Sequence, residues 1–314
     1  MPIQIIPISS GNFSQVIRKH GPDMPSLDTL LSQDRKCTED TAIHRVAAIT
    51  PDGEIVGFGF AVTGPWDPIL RPGYFEISVR VAQNWRKQGI GSKIYQELER
   101  FSIQNHAVVL QGSVREQSPE DLIWAKKRGF NIEQHVFESA LDLSTFNPRS
   151  FDDVLSLGSK LHFSSFANYP QNDVWFERYL DFWWELAKDA PGMEEKSRPE
   201  LEQMRNTLFA IMDPAGSILI LDGEKWVAMS LVIRETEEVY YNSLTGVSRP
   251  YRGRRLSLAA KVKAAEFAKN QGAKYLRTHN ASNNERILAV NRKMGYKPKP
   301  GIFFLSRSIY HSST

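Results

Sequence analysis

A short turn in the first half of the chain carries the residue types that bind phosphate groups. Residues 81–92 read Val-Ala-Gln-Asn-Trp-Arg-Lys-Gln-Gly-Ile-Gly-Ser, so a strand-like run leads into two glycines and a basic pair. Glycines let the main chain approach a ligand closely, and a helix that begins here presents unpaired N–H groups and partial positive charge. Arg86 and Lys87 add full charges. The turn is a candidate pyrophosphate site; the alternative is that its glycines merely tighten the chain.

Two other phosphate-binding patterns do not fit this turn. The G-x-x-x-x-G-K-[ST] loop of nucleoside triphosphatases is absent from the sequence. A dinucleotide fold requires G-x-G-x-x-G and a carboxylate about 20 residues later. Ile94 replaces the third glycine, and Gln111 stands near the place of the carboxylate. A nucleotide-binding protein remains the less favoured alternative.

The turn belongs to a pattern that occurs twice, with an offset of 166 residues. Eight positions between residues 81 and 130 are identical in the two copies, among them Arg86 with Arg252 and Gly129 with Gly295. Internal repetition at a fixed offset indicates a repeated structural unit. Each copy has the order strand, basic turn, helix, short strand and second helix. In the first copy these elements are predicted at 74–82, 86–91, 92–104, 106–110 and 119–128. In the second copy they are predicted at 239–248, 252–257, 257–270, 273–278 and 284–294.

Turn residues before each copy and a break between the copies predict two domains. Pro51-Asp52-Gly53 and Leu221-Asp222-Gly223 each join two apolar runs, as hairpin turns do. Asn147-Pro148 breaks the pattern between the copies, so we predict domains at 1–146 and 147–314. Residues 175–188 are aromatic at helical spacing, which predicts a packing helix or the wall of a substrate channel.

Composition excludes several classes of protein. Hydrophobic residues make up 41% and charged residues 24% of the 314, which excludes disordered and fibrous chains. With 39 basic and 36 acidic residues the balance does not favour nucleic acid. We find no apolar run of about 18 residues and no basic region before the first apolar residues, and expect neither membrane insertion nor a signal peptide.

Cysteine and histidine usage bounds the redox and metal chemistry. Cys37 is the one cysteine, so an intrachain disulfide is impossible and a cytoplasmic location is expected. The seven histidines lack the spacing of metal ligands, and we predict no metal.

Both basic turns lie in segments that resemble a known family. Arg86-x-x-Gly89-x-Gly91 resembles the [Q/R]-x-x-G-x-[G/A] loop with which GNAT N-acetyltransferases hold the pyrophosphate of acetyl-coenzyme A. In the second copy, the residues that resemble the C-terminal half of tandem GNAT proteins are Thr245-Gly246-Val247, Tyr251-Arg252-Gly253-Arg254, Thr278-His279-Asn280, Asn284, Asn291 and Met294-Gly295-Tyr296.

The resemblance implies a fold and an activity. The expected fold class is α/β (α+β), with two tandem GNAT-fold domains in a mycothiol-synthase-like architecture, each a mixed, mostly antiparallel twisted sheet flanked by helices. The expected reaction is transfer of acetyl from acetyl-coenzyme A, as co-substrate, to a primary amine by direct attack in a ternary complex. A small-molecule acceptor and a monomer or homodimer are expected.

The two copies keep different parts of the family pattern. Arg255 stands where the loop of the second copy should have glycine, whereas Ser118 of the first copy takes the place of Asn284. We therefore expect one active copy, favouring the second, and one structural or non-productive copy that still binds coenzyme. The predicted coenzyme-binding residues are Val81, Arg86, Gln88, Gly89, Ile90, Gly91 and Ser92, and Thr245, Val247, Arg252, Gly253, Arg254, Arg255, Leu256, Ser257, Asn280 and Asn284.

Candidate catalytic residues are fewer. The family often has a tyrosine acid on its last helix, but Ala125 and Asn291 stand at that position, and Asn291 is predicted to hydrogen-bond coenzyme or substrate. Glu76 or a water held by Tyr241 (or by its neighbours Tyr240 and Ser243) is the predicted base, and His279 has a suitable titration range. Because both copies lack the acid, a non-catalytic acyl-coenzyme A sensor is the alternative function.

Overall fold

A computed structural model of the chain describes residues 3–9, 11–13, 27–35, 41–64, 72–158, 160–193 and 196–309. Cys37, His20 and His311 lie outside these ranges. The chain divides into two compact units: unit 1 comprises Met1–Glu133 with Phe303–Thr314, and unit 2 comprises Gln134–Ile302. Among the described residues, no helix combines the length and the apolar character needed to cross a membrane.

Strands and helices alternate along the chain. The strands are β1 (Gln4–Pro7), β2 (Ala42–Ile49), β3 (Ile55–Thr63), β4 (Tyr74–Val81), β5 (Val109–Arg115), β6 (Asn131–Asp142), β7 (Leu161–Ser165), β8 (Ser217–Asp222), β9 (Lys225–Arg234), β10 (Val239–Val247), β11 (Tyr275–Ala281), β12 (Lys297–Pro298) and β13 (Ile302–Ser308). The helices are α1 (Leu27–Arg35), α2 (Ile90–Gln104), α3 (Pro119–Lys126), α4 (Asp152–Leu155), α5 (Asp173–Ala187), α6 (Leu201–Arg205), α7 (Leu208–Ile211), α8 (Leu256–Asn270) and α9 (Glu285–Met294).

Unit 1 is a mixed sheet with a helix packed on it. Its strands lie in the order β1-β2-β3-β4-β5-β13, antiparallel from β1 to β4 and parallel between β4 and β5. Ile90, Ile94 and Leu98 recur at helical spacing in α2 and are buried in the core. The apolar face of α2 therefore covers the sheet and fixes the turn that precedes this helix.

Unit 2 has the same plan. Its strands lie in the order β6-β11-β10-β9-β8-β7, with β12 paired to β6; β10 and β11 are parallel, and the other strand pairs are antiparallel. Helix α8 buries a face of small residues, which allows close packing on the sheet: Ala259, Ala260, Ala264, Ala265 and Ala268. The predicted fold class, with mixed and mostly antiparallel sheets in two tandem domains, is confirmed.

The two compact units do not coincide with the two sequence copies. Strand β6 follows α3 of the first copy, yet it pairs with β11 in unit 2, from Val136 opposite Ala281 to Asp142 opposite Tyr275. The last strand, β13, lies beside β5 in unit 1. The predicted boundary at 146/147 falls inside unit 2 and stays a prediction of where the second sequence copy begins.

Most of the predicted elements are present, but two short strands begin later than predicted, at Tyr275 instead of residue 273 and at Val109 instead of residue 106. Gly53 and Gly223 have positive φ angles of 87° and 61° at the two predicted hairpins. The strand predicted at 106–110 is wrong, because His106 has a φ of 63° in the turn that ends α2 and the strand begins at Val109.

Candidate functional site

Two parallel strands of unit 2 separate part-way along their length. Strands β10 and β11 pair over Val239–Tyr241 and Tyr275–Arg277, and the pairing ends there. Strand β10 then follows β9 as far as Val247, whereas β11 follows β6 as far as Ala281. The divergence leaves a wedge whose main-chain groups are available to a ligand.

A bulge lies at the start of this wedge. The register of β10 against β9 shifts between Asn242 and Leu244. The Asn242 side chain is buried, and its Nδ2 donates to Ser230 Oγ at 3.0 Å and to the Leu231 carbonyl at 2.8 Å. Thr245 Oγ1 donates to Asn242 Oδ1 at 3.0 Å. The extra residue puts Asn242 and Thr245 on one face of the strand, where these bonds hold the bulge.

Sequence analysis missed Asn242 and Ser230. The available signal was an asparagine between apolar residues of a strand, since a buried amide needs several hydrogen-bond partners. In unit 1 the register between β3 and β4 runs without a shift from Val62–Glu76 to Gly57–Val81. The bulge is therefore a difference between the two copies.

Three asparagines of the family-like segment lie at β11 and α9. Asn291 is 3% exposed, and its Nδ2 donates to Asn280 Oδ1 at 2.7 Å. Its Oδ1 is buried without a partner among the described residues. Asn284 is the N-cap of α9, but its side chain makes no capping bond. The structure thus brings Asn280 and Asn291 together and leaves a buried acceptor for an N–H donor.

The basic turns of the two copies share one backbone conformation. The left-handed region is occupied at Lys87 (φ 62°) and Gly89 (φ 81°) in unit 1, and at Gly253 (φ 78°) and Arg255 (φ 60°) in unit 2. Each copy therefore has glycine at a different one of the two strained positions. Although Arg255 stands where the family pattern has glycine, the turn keeps its shape and α8 begins at Leu256.

The first arginine of each turn supports the turn itself. Arg86 Nε donates to the Val81 carbonyl at 3.1 Å, and Arg252 Nε donates to the Val247 carbonyl at 3.0 Å. Arg252 and Arg249 also pair with Asp189, and these hydrogen bonds hold the pKa of that carboxyl well below its usual range. In each unit, this arginine therefore holds the basic turn against the end of the preceding strand.

In unit 1, helix α3 and the residues just after it contact the basic turn and the start of α2. The Trp124 indole lies 3.7 Å from where a Cβ on Gly91 would be. The Arg128 guanidinium stacks 3.6 Å from the Trp124 ring centre and donates to Ser92 Oγ at 2.6 Å. Glu120 and Asp121 each lie 3.5 Å from Arg86. A bulky aromatic, one cation and two carboxylates thus lie beside the turn that carries the better glycine pattern.

Unit 2 has different residues at the equivalent positions: a smaller one for the tryptophan, an uncharged one for the arginine and a basic one for the glutamate. Val290 replaces Trp124, Met294 replaces Arg128, and Arg286 replaces Glu120. A cavity of about 100 Å³ adjoins this turn, and its lining includes Arg254, Arg255, Leu256 and Asp153. Arg255 Nη1 donates to Asp153 at 2.8 Å. The turn of unit 2 carries three arginines, Arg252, Arg254 and Arg255, where that of unit 1 carries Arg86 and Lys87, and Asp189 and Asp153 pair with two of the three.

The predicted catalytic residues are divided between the units. Glu76 is a half-buried residue in unit 1, where it pairs with Gln111 at the last position before β4 and β5 diverge. Asn291 and Tyr241 lie in unit 2. Burial raises the pKa of Tyr241, so its hydroxyl is protonated at neutral pH and is a donor, not a base. No group of three or more metal-ligating side chains occurs within the described ranges.

A charged cluster lies beside Tyr241. The His279 ring centre is 5.7 Å from that of Tyr241, and His279 Nε2 is 3.9 Å from Glu138 Oε2. Burial alone would raise the pKa of Glu138, but Lys299, Arg277 and His279 together lower it. Glu138 is therefore a well-held carboxylate in this cluster.

Comparison with known proteins adds family and fold. Residues 14–130 match the acetyltransferase (GNAT) family model. No curated protein sequence gives a significant match. A tandem GNAT protein from the clavulanic acid biosynthesis pathway shares the fold with a TM-score of 0.65 and 16% identity, over 99% of this chain and 100% of that chain.

Two further solved structures share the fold. A GCN5-related N-acetyltransferase from Sphaerobacter thermophilus has a TM-score of 0.66 and 16% identity, over 99% of this chain and 98% of that chain. A glucosamine N-acetyltransferase region of a fungal multi-domain β-N-acetylglucosaminidase has a TM-score of 0.67 and 14% identity, over 98% of this chain and 38% of that chain. Residues 14–130 thus match the acetyltransferase (GNAT) family, whose members transfer acyl groups from acyl-coenzyme A, and the whole chain shares the fold of a tandem GNAT protein.

Proposed function

We propose that unit 2 binds acetyl-coenzyme A at residues 252–257 and transfers its acetyl group to a primary amine of a small molecule. The observation that carries this proposal is the Asn242 bulge, which unit 1 lacks, at the divergence of β10 and β11 beside the N-terminus of α8. A helix N-terminus with several arginines attracts the diphosphate, and the wedge admits the rest of the coenzyme as an extended chain.

The polar groups of the wedge suit the thioester arm. The arm carries amide N–H groups, and the buried Asn291 Oδ1 is an acceptor that lacks a donor. The Asn242 bulge takes main-chain groups near Leu244 out of the regular ladder. An amide N–H released in this way is suited to stabilise the oxyanion that forms when the amine attacks the carbonyl.

Direct attack in a ternary complex fits these residues. The amine nitrogen forms a bond to the acetyl carbon, the C–S bond breaks, and the thiolate leaves. A thiol has an ordinary pKa of about 8.5, so the thiolate leaves without an obligatory acid. Asn291 stands where relatives often have a tyrosine acid. Its role is to hydrogen-bond the coenzyme, whereas a tyrosine would protonate the departing thiolate.

Unit 1 is assigned a structural role. Trp124 lies within contact distance of Gly91, Arg128 is bonded to Ser92, and Glu120 and Asp121 place negative charge beside Arg86, which opposes a diphosphate. The predicted roles of Val81, Gln88, Gly89, Ile90 and Ser92 then concern the shape of the turn. The alternative is the prediction from the sequence that the intact glycine pattern of the first copy binds coenzyme.

Transfer assays test the proposal. The full chain is incubated with acetyl-coenzyme A and a panel of an aminosugar, a polyamine, an amino acid ester and an alkylamine, with thiol release and product mass as readouts. The solved glucosamine N-acetyltransferase region motivates the aminosugar. We expect an acetylated amine and an equal amount of free coenzyme. Coenzyme binding without transfer to any amine would favour the second candidate, an acyl-coenzyme A sensor, which the lack of a tyrosine acid at Ala125 and Asn291 supports.

A further inference from the structure

We infer that His279 is the general base that removes the proton from the acceptor amine, and that Glu138 is the residue that positions it. This inference rests on unit 2 being the transfer site. The supporting observations are the face of β11 on which His279 lies, the groups around it and its exposure to solvent.

His279 lies in the wedge on the face opposite the coenzyme helices. Side chains alternate along a strand, so Thr278 and Asn280 share one face and His279 points to the other. Asn280 meets Asn291 of α9, which marks its face as the side of α8 and α9. His279 is two residues beyond the last β10–β11 pair, at Arg277, and its side chain is 44% exposed. An amine that approaches from solvent on this face meets the imidazole first.

Each neighbouring element contributes one charged or titratable group. Tyr241 comes from β10, Glu138 from β6, Arg277 from β11, Lys299 from the segment after β12, and Glu235 from the turn after β9. Arg277 bridges Glu138 and Glu235, and Lys299 also pairs with Glu138. Two cations thus balance two carboxylates around the imidazole.

The other polar groups of the cluster suit the role less well. Tyr241 keeps its proton because burial raises its pKa. Glu138 is 13% exposed and already engaged by Lys299 and Arg277. Asn291 belongs to the opposite face and does not titrate. His279 combines exposure with a carboxylate oxygen 3.9 Å from its Nε2.

Every proton transfer in this scheme has a donor and an acceptor. A bound ammonium gives one proton to His279 and becomes a neutral amine. Its lone pair attacks the acetyl carbon, the C–S bond breaks, and the second amine proton neutralises the departing thiolate. The imidazolium returns its proton to solvent before the next turnover.

A comparison of acceptors isolates this step. Transfer from acetyl-coenzyme A is measured for wild type, His279→Gln and His279→Ala, with an alkylamine that is charged at neutral pH and with hydroxylamine, which is largely neutral there. His162→Gln is the matched control, because His162 is an exposed strand histidine on β7 of the same unit. Coenzyme A affinity is measured by calorimetry for each variant, and Glu138→Gln is included for its pH profile.

We expect His279→Gln to lose about 100-fold or more in kcat with the alkylamine, the range of general-base catalysis, and much less with hydroxylamine. Coenzyme A affinity should stay within twofold, added imidazole should restore part of the His279→Ala rate, and Glu138→Gln should move the acidic limb of the pH profile. Equal losses with both acceptors, or His279→Gln matching wild type, would overturn the assignment while leaving unit 2 as the transfer site. Wild-type chain that binds coenzyme A but acetylates neither acceptor would overturn both.

Discussion

Thr278 Oγ1 donates a hydrogen bond of 3.0 Å to the main-chain carbonyl of Asn242, and both residues are buried. The bond joins β11 to β10 at the point where their regular pairing has just ended. The wedge is therefore held by side chains at its apex, and its opening is a fixed feature of unit 2 rather than a frayed sheet.

Asn242→Ala should weaken both the fold and the transfer reaction. The substitution leaves the Leu231 carbonyl and Ser230 without a buried donor, a loss of about 1–3 kcal/mol in the free energy of unfolding. Turnover should fall more than coenzyme A affinity, because the bulge shapes the reaction centre and not the diphosphate site. Urea unfolding and steady-state kinetics measure the two effects.

Glu76→Ala is the matched control, since Glu76 is 166 residues before Asn242 and ends the paired part of β4. It should leave transfer unchanged. A loss of transfer in Glu76→Ala equal to that in Asn242→Ala would contradict the assignment to unit 2 and would restore the sequence-based prediction that Glu76 is a base.

Arg286→Glu should weaken coenzyme A binding. The change gives unit 2 the charge that Glu120 gives unit 1, and one lost charged hydrogen bond corresponds to roughly 1–3 kcal/mol in binding free energy. The difference from wild type should shrink as salt is raised, because exposed charges are screened. Arg234→Glu, an exposed residue at the end of β9 where the β10–β11 pairing begins, is the control for net charge. If both variants weaken binding equally, Arg286 has no special place at the site.

Lys261 should make the stability of unit 2 depend on pH. It is 1% exposed in α8 and lies over the Tyr296 ring, and burial lowers its pKa from 10.5 to about 7. The unfolded chain then binds more protons between these values, so stability rises with pH across this window, by at most about 1.4 kcal/mol per unit. The destabilisation is absent above about pH 10.5 and complete below about pH 7.

Lys261→Met removes the titrating group while keeping a long apolar side chain. The variant should be more stable than wild type at pH 7, and its urea midpoint should change less between pH 7 and pH 9. An unaltered pH dependence in Lys261→Met would show that the Lys261 amine reaches solvent or an unrecognised partner.

The fold was largely predictable because its signals are local. Helical spacing, the glycines of the hairpins and the repeated basic turn identified α2, α8 and the strands that precede them. The sequence did not predict that β6, which follows the first copy, pairs in unit 2, or that β13, at the end of the second copy, lies in unit 1. Strand partners far apart in sequence leave no local pattern. His106 was misassigned since its left-handed conformation is rare for that residue type.

The site was predicted in part. The family-like asparagines led to the pair Asn280 and Asn291, which the structure brings together. The phosphate-binding roles of Arg86 and Arg252, assigned from the basic turn and the family resemblance, stay predictions, and the structure adds a bond from each to a strand-end carbonyl. The cover that Trp124 places over Gly91 depends on how two helices pack, which residue spacing does not report.

The most direct test of coenzyme binding by unit 2 is a calorimetric titration of the full chain with acetyl-coenzyme A. It compares wild type with the matched variants Ser257→Glu and Gly91→Glu. Each variant places a carboxylate in the first turn of the helix after one basic turn, where it favours the helix but repels a diphosphate. We predict one coenzyme per chain in wild type and in Gly91→Glu, and at least a tenfold loss of affinity in Ser257→Glu. Binding that survives in Ser257→Glu and disappears in Gly91→Glu would contradict the account.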